Sequence, residues 1–459
     1  MARRRRLRAT LSSLAVATAF AGTAAAHSGS LRGATQESLA VPTWLFLLTG
    51  GGAVGASFLL ASFVTDRRFV EQLHAWHRSL PTPGRFVTRA ARLAAVGVLL
   101  STVAFGFVAP DEQLRNLAIL VVWVAWWGGF VASTYLLGNA WPALNPVRAL
   151  ADALPSLDRP YPERLGAWPS VAALLALVWI EVVSPLADDP RLLATVVLVY
   201  TLVTVGGAVV VGAERWFTSV DPLSRAFRYY GHVAPIQRTD DGLRLRLPGA
   251  ALPETAVSGR DEVAFVVALL FVTTYDGFVA TGLWATIART VAGVGVPPTL
   301  IYLGAYLGGF VLFLGAFRWA ARDARRRAES YLTPEYLARR FAPSLLAIAA
   351  GYHLAHNLGS VLLLSPTLVA VATSPLSPPL NPPQLAGLPG WFGGLELAFV
   401  LVGHLLAVWV AHATAYDAFP GRLQAVRSQY AVTLVMVLYT MTSLWIVSEP
   451  YVPPPFIAT

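Results

Sequence analysis

Ten apolar runs, each near the roughly 20 residues that a helix needs to cross a bilayer, dictate what this chain can fold into. They cover about residues 42–65, 92–109, 116–137, 168–187, 191–213, 262–284, 298–320, 342–365, 392–416 and 430–449. In lipid, every backbone N–H and C=O has to be bonded within the protein, so runs of this length read as helices. The predicted fold class is an all-α, polytopic transmembrane helical bundle of about ten spans. A composition of 56% hydrophobic and 13% charged residues over 459 positions agrees.

The loops set the orientation. All 34 basic residues are arginines, and most sit beside apolar runs. The net charge of +9 therefore points to headgroups rather than to nucleic acid. Loops 66–92, 148–164, 215–260, 318–340 and 421–427 are rich in arginine, whereas the loops between them on the other side are short or arginine-poor. The positive-inside rule puts the first set in the cytoplasm of a multi-pass protein of the cell membrane.

Met1–Ala26 reads as a cleavable signal peptide, with Arg3–Arg6 and Arg8 before an apolar core and Ala24-Ala25-Ala26 as the cleavage site. Removal leaves His27 at the amino terminus, where amine and imidazole together can chelate a metal. Residues 27–41 are then a short external segment, 42–449 the bundle and 450–459 an external tail, with both mature termini outside. Within the bundle, 214–261 is a structured cytoplasmic loop. It holds an interfacial helix near 222–230, with Arg225 and Arg228 towards headgroups, and a hairpin over 236–247 turning at Asp241-Gly242. Residues 366–390 form a proline-rich external loop.

With no cysteine and no lysine, the chain has no disulfide, thiolate ligand, iron–sulfur cluster, Schiff-base lysine or Walker lysine. Chemistry falls to His, Asp, Glu, Tyr, Ser/Thr and Asn. Four of the eight histidines lie in two neighbouring spans, His353 and His356 in one and His404 and His412 in the next. Ionisable groups at that depth are costly and face a partner, a cavity or an ion. His353 and His356, three residues apart, share one side of a helix. His404 falls at mid-depth, and His412 about 12 Å nearer the cytoplasm at 1.5 Å per residue. Asp276 stands near the middle of its run and Glu181 past the middle of its own. His74, His77 and His232 fall in arginine-rich loops and read as solvated.

The histidines can be structural, bonding to carbonyls, hydroxyls or Asp276 and holding helices together; beside that, three functional readings fit these residues. In the first, His356, His404 and Asp276 hold a divalent metal (zinc, iron or copper), with His353 as fourth ligand or beside it. Glu181 or His412 then orients the metal-activated water in a hydrolase acting on an apolar small molecule that reaches the site from the bilayer. In the second, the same histidines line a path for a metal ion or proton. In the third, imidazoles from the two histidine-bearing helices ligate a b-type haem.

Several motifs occur together in one order: Trp141-Pro-Ala-Leu-Asn-Pro146, Val178-Trp-Ile-Glu-Val-Val-Ser-Pro185, Gly212-Ala-Glu-Arg-Trp-Phe217, Tyr275-Asp-Gly-Phe278, Gly351-Tyr-His-Leu-Ala-His356 and Gly403-His404 with Ala411-His412. In these the chain resembles a family of polytopic prokaryotic membrane proteins, some labelled fenitrothion hydrolase-like. The resemblance runs from about His27 to the last span and implies hydrolysis of an organophosphate triester. The polar positions it carries over are Glu181, Asp276, His356, His404 and His412, with a histidine near the mature amino terminus at His27. His353 is outside that pattern, where an apolar residue is commoner.

Overall fold

The computed structural model describes residues 43–457. The expected signal peptide and His27 lie outside them. In chain order the helices are α1 (Thr43–Ser62), α2 (Arg67–Ala75), α3 (Arg85–Val108), α4 (Leu117–Leu136), α5 (Trp168–Val183), α6 (Pro190–Val211), α7 (Pro222–Gly231), α8 (Arg260–Val279), α9 (Gly282–Gly293), α10 (Pro298–Arg327), α11 (Pro334–Phe341), α12 (Leu345–Thr373), α13 (Phe392–Ala418) and α14 (Arg422–Ser448). Among the described residues, eight helical stretches are long and apolar enough to cross a membrane, and α5 and part of α1 are shorter apolar helices. Each of the ten expected runs is helical. The protein is an all-α polytopic bundle of the integral membrane type.

Burial separates the centre of the bundle from its rim. In α8, 83% of the apolar window is buried, against 11% in α3, so α8 is the central post and α3 turns its side chains outward. The histidine-bearing helices α12 and α13 cross at Gly351 and Gly403. A Cβ on Gly351 would lie 2.6 Å from the Phe399 carbonyl oxygen and 3.0 Å from Gly403 Cα, and one on Gly403 would lie 2.6 Å from the Ala347 carbonyl oxygen. Backbone therefore meets backbone, a contact only glycine permits.

Helix α12 runs past the expected end at 365 and carries Pro366 inside it. Proline removes one N–H from the ladder, and the Ser365 hydroxyl instead donates to the Leu362 carbonyl at 2.9 Å. The proline-rich loop consequently begins only after Thr373. α8 stops at Val279, short of 284, so Asp276 stands in its last turn rather than at its middle.

The expected hairpin forms, with β2 (Ile236–Thr239) antiparallel to β3 (Gly242–Arg246) and Thr239 facing Gly242, so the turn is Asp240-Asp241, one residue earlier than expected. A third strand, β1 (His77–Leu80), pairs with the other edge of β3. Thus the first and third arginine-rich loops meet in one small sheet. Further ties follow: Arg67 donates to the Phe419 carbonyl, Arg340 to the Pro253 carbonyl, and Arg340 also pairs with Asp417. Arg225 does not point to headgroups. It is 3% exposed, and its guanidinium donates to Glu262 at 2.6 Å and to the Thr218 carbonyl. A buried guanidinium has to be paired in this way.

Two histidines read as solvated are also packed. His74 stacks on Trp409 and lies 3.2 Å from the Ala250 carbonyl oxygen. His232 is largely buried, and desolvation lowers its pKa to about 4. Loops this close to a bundle end are shielded by the sheet and by each other, which a charge count along the sequence does not register.

Candidate functional site

A cavity of about 440 Å³ opens between α3, α4, α5, α6, α8 and α12. Its wall is mostly apolar, yet besides Tyr200 of α6 it contains four His, Asp or Glu side chains: Glu181 of α5, Asp276 of α8, and His353 and His356 of α12. Each comes from a position where the sequence breaks an apolar run. His356 Nε2 lies 3.4 Å from Asp276 Oδ2, and both side chains are mostly buried. This imidazole–carboxylate pair joins α12 to the last turn of α8. Gly277 lets the helices approach: a Cβ there would come within 2.4 Å of the Tyr352 hydroxyl.

His353 is 1% exposed, and its Nδ1 lies 2.9 Å from the Tyr135 hydroxyl. Its ring meets the edge of Trp127 at 5.2 Å between centroids. Asn357, one turn on, donates its side-chain N–H to the His353 backbone carbonyl at 2.9 Å, which fixes the Asn357 side chain against α12. Glu181 lies on the α5 wall, and on the same helix the Leu175 carbonyl accepts from Tyr306 at 2.9 Å.

The aromatic side of the chamber comes from α4. Its stretch Leu120–Phe130 is wound as a π-helix, with N–H groups bonding five residues back. Trp123, Trp126, Trp127 and Phe130 of this stretch line the cavity. Trp141 and Phe227 stack on each other at 4.5 Å beside Trp126. Sequence reasoning missed this wall. The available signal was three tryptophans inside one span, away from the span ends where indoles normally gather.

The other expected site residues stand apart. His404 is fully buried, and its Nδ1–H donates to the Val400 carbonyl at 2.7 Å on its own helix. It does not line the chamber. His412, also buried, has Nε2 at 3.0 Å from the Val64 carbonyl oxygen and Nδ1 at 3.3 Å from the Gln429 amide. Those contacts bolt α13 to the chain after α1 and to α14. The structure thus brings together Glu181, Asp276, His353 and His356, and does not bring His404 or His412 to them. The depth estimate for His404 did not fix which way its side chain turns, and at Gly351 and Gly403 the backbones of α12 and α13 are in direct contact.

Among the described residues, no three His, Asp or Glu side chains come together at metal-ligating spacing. Asp276 and His356 offer two donors at most, fewer than the three protein ligands usual for a catalytic zinc. Among the described residues, the expected three-ligand set is therefore not assembled by the chamber residues alone. Comparison with family models, curated proteins and solved structures finds no match to this chain.

Proposed function

We propose that the protein is a membrane-embedded hydrolase of apolar esters, with His356 and Asp276 as its reacting pair. The observation that carries this reading is the imidazole–carboxylate contact of His356 with Asp276 inside a mostly apolar chamber of about 440 Å³. The volume suits a small aromatic ester, and the indoles of α4 offer faces for its ring. Val98, part of the wall on α3, is half exposed on an apolar helix surface, which suits a substrate arriving from the bilayer.

In this scheme His356 takes a proton from a water molecule as that water attacks the electrophilic phosphorus or carbonyl carbon. Asp276 stabilises the imidazolium that forms. Glu181, from the α5 wall, orients the water, and the imidazolium of His356 then gives its proton to the leaving oxygen, which restores the neutral base. His353, whose Nδ1 lies against the Tyr135 hydroxyl, borders the same chamber three residues before His356. The resemblance to fenitrothion hydrolase-like membrane proteins agrees with an organophosphate triester as substrate.

The test is turnover of a 4-nitrophenyl phosphotriester or carboxyl ester by the purified chain in detergent. His356→Gln and Asp276→Asn should each lower the rate about 100-fold or more. Rates unchanged in both variants would remove the reading. Elemental analysis of wild type and His356→Ala tests for a divalent metal, and a Soret band in the absorption spectrum would indicate haem.

A second reading, proton or ion movement, draws on the buried contact from His353 to Tyr135, which extends the polar groups beyond Asp276 and His356. Flux into proteoliposomes that disappears in Asp276→Asn, with no ester turnover, would favour it.

A further inference from the structure

A second cavity, of about 210 Å³, lies away from the chamber, where α8, α10 and α11 meet. Its wall contains Arg260 at the start of α8, Arg318 and Arg322 one turn apart on α10, and Arg339 of α11. One carboxylate, Glu335, lies among them and pairs with Arg260 at 2.8 Å. Four guanidiniums against one carboxylate leave the cavity with a formal charge of about +3, the difference 4 − 1. Arg339 donates to the Ser258 carbonyl at 2.9 Å. Among the described residues, no carboxylate comes within ion-pair distance of Arg318, Arg322 or Arg339, although nearby arginines such as Arg327 and Arg340 have their own partners.

Like charges converging from three helices repel, and an arrangement of this kind is favoured when an anion sits among them. Guanidinium forks match phosphate oxygens two at a time, more specifically than ammonium groups would. The position adds a second constraint. Arg318 ends the apolar stretch of α10, and the neighbouring Trp319 is exposed, as indoles are at headgroup level. The floor is apolar, made by Val263, Ala321 and Ala338. α11 buries its apolar residues Leu337 and Phe341 against the bundle, while Arg339 faces this cavity and Arg340 turns to Pro253 and Asp417.

We propose that this cavity is a binding site for a phosphate group, taken from the headgroup of an anionic lipid. Arg318 and Arg322 grip the phosphate oxygens, Arg260 and Arg339 close the sides, and the apolar floor receives the glycerol end of the lipid. The site is independent of the ester chamber. It ties the ends of α8, α10 and α11 through a lipid and gives the protein a preference for anionic membranes.

Native mass spectrometry of the full chain in non-ionic detergent, with added phosphatidylglycerol or phosphatidylcholine, tests this. The wild type should retain phosphatidylglycerol about tenfold more strongly, and the Arg318→Gln/Arg322→Gln variant should lose that preference. A parallel thermal-shift titration with inorganic phosphate separates the sources: stabilisation by phosphate without a lipid preference assigns the same cavity to free phosphate esters. Equal retention of both lipids with no phosphate response overturns the proposal, as does a preference that the double variant leaves unchanged. Should the double variant not stay monodisperse, Arg339→Gln gives the same readout, with the preference reduced if the site is real and intact if it is not.

Discussion

The crossing of α12 and α13 makes a prediction whose sign differs from that for the same substitution elsewhere. Alanine at Gly351 would place Cβ 2.6 Å from the Phe399 carbonyl oxygen, a backbone atom that no rotamer change can move. Restoring a C···O separation of about 3.3 Å means driving the helices about 0.7 Å apart at that point. A gap of 0.5–1 Å forfeits roughly a quarter to a half of each dispersion contact along the seam. The expected cost is about 1–3 kcal/mol, or a melting midpoint lower by about 2–6 °C. Gly308 of α10 has nothing within 4 Å of an added Cβ. There the gain in helix propensity and the loss of unfolded-chain freedom should stabilise by up to about 1 kcal/mol. Intrinsic tryptophan fluorescence during heating of Gly351→Ala and Gly308→Ala in one detergent measures both. If Gly351→Ala melts at or above the wild type, the backbone contact between the two histidine helices is not what holds them together.

Other perturbations test the assignment of roles. His412→Ala removes the contacts to Val64 and Gln429 and leaves a cavity, for a loss of about 2–4 kcal/mol in thermal unfolding. Because His412 lies outside the chamber, ester turnover per folded molecule should stay within about twofold of wild type; a loss as large as that in His356→Gln would return it to the reacting groups. His232, held to a pKa of about 4 by burial, binds a proton in the unfolded chain before the folded one as pH falls below 6.5. Its contribution therefore lowers stability between pH 6.5 and about 4, by at most about 3 kcal/mol. Asp188 acts oppositely in the same window, since burial raises its pKa to about 6 and the folded state takes up the proton first. The clean measurement is the difference between wild type and His232→Gln melting curves across that range. The wild type should lose stability relative to the variant as the pH falls, and a constant difference would show that His232 is solvated after all. Trp127→Ala should weaken binding of aromatic esters to the chamber, read as a raised KM, with little effect on an aliphatic ester; an equal effect on both would deny the indole wall a part in recognition.

The sequence by itself determined the class of this protein and the run of its helices. The lipid phase allows only backbone that bonds within itself, and runs such as 392–416 and 430–449 announce that through length and apolarity alone. It also marked Glu181, Asp276, His353 and His356, because an ionisable residue inside such a run stands out against its neighbours. What it did not determine is which of the marked residues meet. His404 and His412 carry the same signal as His356, yet a helix has a full turn of directions. Only the packing of α13 against α12, brought to backbone contact by Gly351 and Gly403, decided that His404 turns to its own carbonyl and His412 to Val64. The indole wall, the late end of α12 beyond Pro366 and the four arginines gathered from α8, α10 and α11 likewise depend on distances between segments far apart in the chain. Those distances are set by side-chain volume and by the satisfaction of buried polar groups across helices. No local pattern along one helix encodes them.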